Sequence, residues 1–256
     1  MIRIDTSWLA TEPMRSLAPV LEGRGGLRCG EPSMLLAFVS IHRLTLLEQN
    51  AAQDLLEERQ MPDLKTMFQL SGRGYAAAGL SHATLIIIDA QNEYLSGPLA
   101  LKGVDSAVVN IGKLVAAARA LGRPVVHIHH LGTVGGLFDP QGERGDFISE
   151  LRPQAAESIV EKRLPNAFNG TGLDELLQKL GHVDLIVCGF MSHSSVSATV
   201  RAAKDYGYRC TLVEDACATR DLPSKLGVVT AEVVHQTEMV IMADNFATLA
   251  LTEDLI

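Results

Sequence analysis

The sequence predicts an α/β fold: a Rossmann-like parallel sheet of about six strands, helices on both faces, and an N-terminal extension. Two observations predict it. From residue 83 onward, short and nearly continuous apolar runs alternate six times with segments whose apolar residues recur at helical spacing. Strands covered on both faces read as continuous apolar runs, because neither side meets water. Polar and reactive side chains also gather where the runs end, and open parallel sheets place ligands outside those carboxyl ends.

The elements follow in order. Thr84–Ile88 is a β-branched and leucine run that ends in Asp89-Ala90-Gln91-Asn92. A helix is expected from Asp105, with Val108, Ile111, Leu114, Val115, Ala118 and Leu121 on one face and Gly122 as its stop. Residues 124–128 form the next strand, and a glycine-rich loop covers 132–145. A short third strand at 158–161 ends near Lys162, and a helix over 173–180 follows. The stretch 183–203 reads as strand, turn and helix. Val183, Leu185, Ile186, Val187 and Cys188 are the strand, Gly189 turns, and Val196, Thr199, Val200 and Ala203 keep a 3.6-residue period. Ser194 is the expected N-cap. A strand at 209–213, a loop through 219–223, a helix near 226–235, a last strand near 239–242 and a C-terminal helix complete the reading.

With 256 residues, 47% of them hydrophobic, the chain is long enough for one large domain with an appendage. The expected division is an extension over 1–80 and a domain over 81–256. In the extension, Leu35, Phe38, Val39, His42, Leu46, Leu47, Leu55 and Leu56 suggest a helix over 33–60 that Met61-Pro62 ends. Gly72-Arg73-Gly74-Tyr75-Ala76-Ala77 matches a relaxed dinucleotide pattern, but it precedes a strand instead of following one, so the phosphate-cradling geometry is not expected. The net charge of −8 argues against a nucleic-acid partner. Cys29, Cys188, Cys210 and Cys217 show no C-x-x-C spacing, and reduced thiols in a cytoplasmic protein are expected. No run of 18 apolar residues suggests a membrane span, and Asp5 and Glu12 argue against a signal peptide.

Asp89, Lys162 and Ser195 close or follow three strands, so a parallel sheet can bring them to one edge. A carboxylate beside an ammonium, with a hydroxyl between them, is an arrangement for a base-assisted nucleophile. The N–H groups of Met191 and Ser195 would form an oxyanion hole. Read alone, an Asp at a strand end also serves as a turn residue and a Lys there as a solvated one; the joint placement favours a site. His127 and His129 share a strand face and could join Asp89 at a metal, but a zinc site needs three or four protein ligands at fixed geometry, so no metal and no cofactor are expected. Cys188 reads as a buried strand cysteine and Cys217 as a packed loop residue.

Four motifs carry a resemblance to the isochorismatase-like cysteine hydrolases over roughly residues 83–251. They are Asp89-Ala90-Gln91-Asn92, the stretch Glu161-Lys162-Arg163-Leu164-Pro165-Asn166-Ala167-Phe168, the turn Gly189-Phe190-Met191-Ser192-His193-Ser194-Ser195-Val196, and Asp215-Ala216-Cys217-Ala218-Thr219. The resemblance implies an Asp-Lys-Cys triad on Asp89, Lys162 and position 195, and a cis peptide at Phe190-Met191. It also implies a small-molecule amide or related C–N bond as substrate, and a homodimer or homotetramer. Gln91, Tyr94, Phe168 and His193 are the expected substrate contacts, beside Met191. The departure is serine at 195, where the family pattern has cysteine. An alcohol needs far stronger base assistance than a thiol. Serine fits an exchanged cysteine, a serine that attacks, or a site without covalent attack. The last corresponds to isochorismatase-type vinyl-ether hydrolysis with Asp89 as the acid. A silent ligand-binding homologue is the reading from outside enzymology.

Overall fold

The computed structural model describes residues 64–256. The helix expected over 33–60 lies outside the described residues. The compact unit that holds the sheet runs from Lys65 to Ile256.

Six strands form one parallel sheet: β1 (Thr84–Ile88), β2 (Val125–His130), β3 (Ser158–Lys162), β4 (Asp184–Phe190), β5 (Arg209–Ala218) and β8 (Ala247–Ala250). Their order is β3-β2-β1-β4-β5-β8, with every neighbouring pair parallel. The chain builds outward from β1 in one direction, then returns and builds outward through β4 in the other. Sheet order reverses between β1 and β4, and such a reversal opens a crevice at the carboxyl ends of those strands.

Two apolar layers cover the sheet. On one face Ile111, Leu114, Val115 and Ala118 of α2 (Val104–Ala120) pack with Leu85, Ile87, Ile186 and Val213. On the other, α3 (Leu173–Leu180), α4 (Ser197–Asp205) and α5 (Ala231–Asn245) supply Leu173, Leu177, Val200, Met239 and Met242 against Ile86, Ile88, Val126 and Leu212. All five residues of β1 are buried, as its uninterrupted apolar run requires. Gly122, at φ +62, closes α2. The short helix α1 (Met67–Ser71) precedes the sheet. The stretch between them, expected in the extension, is attached to the sheet: Tyr75 Oη meets the main chain of Cys210, and the Ala78 N–H donates to Thr211 Oγ1 at 2.8 Å.

The last third departs from expectation. Residues 239–242, read as a strand, lie inside α5; Met239 and Met242 are buried while Val240 is exposed. A short apolar run has no periodicity that separates a strand from a turn of helix. The last strand is β8, four residues long. The helix expected near 226–235 begins only at Ala231, where the Thr230 side chain accepts the Val233 N–H. Ahead of it, β6 (Leu222–Ser224) and β7 (Gly227–Val229) pair as a hairpin. The expected C-terminal helix is one 3₁₀ turn, Thr252–Asp254.

One contact sets the crevice. Gly189 of β4 lies in register with Ile88 of β1. Its φ is +116, and a Cβ there would sit 2.1 Å from the Ile88 carbonyl oxygen. Only glycine lets the two backbones approach this closely.

Candidate active site

Asp89 follows β1 directly and adopts φ 51. This left-handed conformation is uncommon for residues with a side chain, and Asp tolerates it better than most. Its N–H still reaches the Ile128 carbonyl at 3.1 Å, so the backbone turns while anchored to the sheet. Lys162 is the last residue of β3, two strands away, and its register partner is His130 of β2. The long Lys162 side chain crosses the end of β2 to reach Asp89. After β4, the Phe190–Met191 peptide is cis. Ser192–Val196 then forms a π turn, in which the Met191 carbonyl accepts the N–H groups of Ser194 at 3.0 Å and Val196 at 3.3 Å. The expected cap at Ser194 is therefore not formed; α4 grows straight out of the π turn with no side-chain cap.

The three strand ends converge. Lys162 Nζ donates to Asp89 Oδ2 at 2.7 Å and to Ser195 Oγ at 3.1 Å. A third partner, His130 Nδ1, lies 2.9 Å from Nζ. An ammonium has three N–H donors, and all three are used. Asp89, Lys162 and Ser195 are buried. Asp89 Oδ1 is buried without a hydrogen-bond partner. Burial pushes the Asp89 carboxyl above its ordinary value, and the Lys162 ammonium opposes this without cancelling it.

His130 is the residue that sequence reasoning passed over. His127 and His129 drew attention as a same-face pair, yet neither reaches the site. His127 Nε2 is 2.9 Å from Glu157, and His129 Nε2 is 2.9 Å from the Gly145 carbonyl. The period-two rule already put His130 on the opposite face, toward the strand ends that carry Asp89 and Lys162. Burial and the Lys162 ammonium hold His130 down at about 4, so it is neutral near pH 7. Among the described residues no cluster of three or more His, Cys, Asp or Glu side chains could hold a metal ion.

The other expected contacts divide. Tyr94 is buried beside Phe138 and Phe190, with ring centroids at 5.3 and 5.6 Å. Burial pushes its hydroxyl well up, and the Asp89 charge adds to this. Gln91 is a structural tie: it donates to the His130 carbonyl at 3.0 Å and the Gly145 carbonyl at 2.7 Å, and accepts the His130 N–H at 2.8 Å. Both of its N–H donors and one lone pair of its oxygen are spent on backbone. Phe168 packs elsewhere. It stacks on Tyr206 at 4.8 Å and Tyr208 at 5.9 Å in the layer of α3 and α4, because the chain after β3 turns onto that face. His193 is tied to Thr219 Oγ1 at 2.5 Å. Ser192, which the sequence did not single out, lies between the Ala218 carbonyl and His235 Nδ1 and fastens the turn to β5 and α5. Cys188 donates to the Ile86 carbonyl, and burial pushes its thiol well above the ordinary range. Cys217 lies in β5, not in a loop, and burial pushes its thiol to about 12.

His130 carries a pH prediction. Its folded value near 4 lies below the ordinary value of about 6.5. Between those values the unfolded chain binds the extra proton. Stability from this group is complete above about pH 6.5 and is lost as pH falls through about 4, on the order of 3 kcal/mol. The urea midpoint of His130→Asn is expected to fall less between pH 7.5 and pH 4.5 than that of the parent. Equal falls would show that His130 is not held neutral.

Comparison with known proteins adds the family context. A model of the isochorismatase domain matches residues 83–254. A crystal structure of an isochorismatase from Pseudomonas putida KT2440 is 66% identical to the chain, with a TM-score of 0.75, over 75% of this chain and 100% of that one. YddQ, an isochorismatase family protein of Bacillus subtilis, is 40% identical over 172 residues, covering 66% of this chain and 96% of YddQ. The ureidoacrylate amidohydrolase RutB of Serratia proteamaculans is 28% identical over 180 residues, covering 56% of this chain and 73% of RutB. Among the described residues no helix is long and apolar enough to cross a membrane.

Proposed function

The chain belongs to the isochorismatase family of hydrolases, and within it we propose that this protein hydrolyses a small-molecule amide or related C–N bond through Asp89, Lys162 and Ser195. One observation carries the reading: a single buried ammonium is shared by the Asp89 carboxylate at 2.7 Å and the Ser195 hydroxyl at 3.1 Å. In a low-dielectric pocket this arrangement lets charge move between the two oxygens without exposure to water.

The steps follow from the groups present. Ser195 Oγ attacks the carbonyl carbon while its proton passes to Asp89, whose Oδ1 has a free lone pair. The C–O bond forms and the carbonyl π electrons move to oxygen. The Met191 and Ser195 N–H groups donate to that oxyanion. Collapse breaks the C–N bond, and the proton held on Asp89 goes to the departing nitrogen. Water then attacks the acyl-serine, giving its proton to Asp89, which returns it to Ser195 Oγ as the acid leaves. The Lys162 ammonium offsets the negative charge on Asp89 and Oγ. A carboxyl raised by burial is a better base for this task than an ordinary one. The amidohydrolase RutB, similar over part of its length, supports the bond class. Tyr94 and Met191 would face the substrate, with His193 at the rim.

A second reading is isochorismatase-type vinyl-ether hydrolysis without a covalent step. Its support is the same Asp89: a buried carboxyl with an unpaired oxygen holds a proton well and can donate it. The serine decides between the two. With purified protein and a panel of small amides, Ser195→Ala is expected to lower turnover by about a thousandfold or more. Ser195→Cys is expected to keep or raise it. Unchanged turnover in Ser195→Ala would remove covalent attack and leave the acid-catalysed reading. The same proposal includes a cytoplasmic location and a homodimer or homotetramer; sedimentation velocity measures the oligomeric state.

A further inference from the structure

Lys162 has three hydrogen-bond partners, and the proposed chemistry uses two of them. The third is His130 Nδ1, at 2.9 Å. This ring is not a casual neighbour. Gln91 grips its backbone on both sides, accepting the His130 N–H at 2.8 Å and donating to the His130 carbonyl at 3.0 Å. Phe138 tilts against the ring, with centroids 4.7 Å apart. Phe138 is itself fixed, since its N–H donates to the buried Glu93 carboxylate at 3.0 Å. A chain of contacts from Glu93 through Phe138 therefore holds the imidazole over the lysine. The side chain of His130 is 18% exposed and that of Lys162 is 0% exposed, so the ring closes the site over the ammonium.

Resting on the hydrolase reading above, we propose that His130 is a positioning residue whose Nδ1 lone pair fixes the Lys162 ammonium between Asp89 and Ser195. An ammonium can only donate, so Nδ1 is the acceptor and the ring proton sits on Nε2. The arrangement requires a neutral imidazole, and burial together with Lys162 supplies one near neutral pH. Lysine has a flexible four-carbon stem and three rotatable donors. Two acceptors leave the head free to pivot about the line joining them. A third acceptor on another side removes that freedom. Small displacements at a reacting centre have large effects on rate, so His130 acts on the reaction through Lys162 without touching the substrate.

The test needs no substrate. In a Ser195→Cys background, the rate of iodoacetamide alkylation at position 195 is followed against pH, with the modified peptide identified by mass. Cys29, Cys188, Cys210 and Cys217 lie elsewhere in the chain, and any labelling there is counted separately. Adding His130→Phe keeps the ring volume but removes the acceptor. It is expected to raise the midpoint of the labelling profile by about one unit, which slows labelling below the midpoint about tenfold. His130→Asn places an amide oxygen near the former Nδ1 and is expected to stay within about threefold of the parent. His130→Gln carries its oxygen beyond that point and is expected to shift in the direction of the phenylalanine variant, which keeps the test open if His130→Phe does not fold. Profiles identical in parent, Phe and Gln variants would overturn the inference. Lys162→Met in the same background separates this from failure of the triad. If it raises the midpoint and the His130 variants do not, only the role of His130 is lost. If it too changes nothing, the shared-ammonium reading of the site is lost with it.

Discussion

Lys162→Met is expected to abolish hydrolysis and to weaken the fold by about 3–5 kcal/mol. The Lys162 and Asp89 side chains are both fully buried, with the ion pair at 2.7 Å. Methionine fills most of the space but leaves the carboxylate with nothing to offset its charge. Asp89 Oδ1 already lacks a partner, and removing Lys162 strips the other oxygen as well. Asp89→Asn behaves differently. It leaves the ammonium two partners, His130 and Ser195, and offers it an amide oxygen. It is expected to lose turnover as fully as Lys162→Met with a smaller loss of stability. The pH dependence of Lys162→Met has a definite sign. Without the opposing ammonium, the Asp89 carboxyl rises further above its unfolded value. An acid raised on folding contributes stability below its unfolded pKa and loses it as pH rises through the folded one. The urea-midpoint deficit of Lys162→Met against the parent should therefore be larger at pH 8 than at pH 5. Retained turnover, or a deficit that grows toward acid, would count against Lys162 as the charge partner of Asp89.

Gly189→Ala is expected to cost on the order of 4 kcal/mol or more, and to lower the thermal midpoint by about 10 °C or more. The new Cβ would lie 2.1 Å from the Ile88 carbonyl oxygen and 2.7 Å from the Ile88 nitrogen. Both are backbone atoms of a central strand, so no side chain can swing aside. The φ of +116 adds strain for any residue with a Cβ. Relief requires β4 to part from β1 where the crevice opens, between Asp89 and the Ser192–Val196 turn. Gly122→Ala is the control. Its φ is +62, but nothing lies within 4 Å of the added carbon, so the cost is expected to be about 1 kcal/mol. Circular-dichroism melts of the two variants give the comparison; similar midpoints would show that the close approach of β4 and β1 is not what holds the sheet there.

The central sheet was legible because its strands are buried on both faces. Runs such as Thr84–Ile88 admit few other structures. The same logic failed at α5. There Val233 and Val240 are exposed beside buried Met239 and Met242, so the helix shows no clean stripe and a four-residue window inside it reads as strand. At the site, Asp89, Lys162 and Ser195 were legible because each closes or follows a strand, and a parallel sheet aligns strand ends. The packing of Gln91 and Phe168 was not legible, because sequence adjacency to a motif does not give side-chain direction. Gln91 turns to the His130 backbone, and Phe168 turns to Tyr206 and Tyr208. His130 was within reach of the alternation rule, which separates it from His127 and His129. What the sequence could not show is that Lys162 lies over the end of β2, since strand order is a property of the whole sheet.

The π turn at Ser192–Val196 has a consequence for how this segment can vary. Its wider winding holds one residue more than an ordinary helical turn would over the same path. That residue sets the rotational phase of α4 relative to β4. Deleting any one position while the wide winding is kept would move each following residue by one place and rotate it by about 100° about the axis of α4. Val200 and Ala203 would leave the apolar layer, and Arg201 or Lys204 would swing toward it. The length of the turn, together with the Ser192 side chain that fastens it to β5 and α5, therefore ties position 195 to the core.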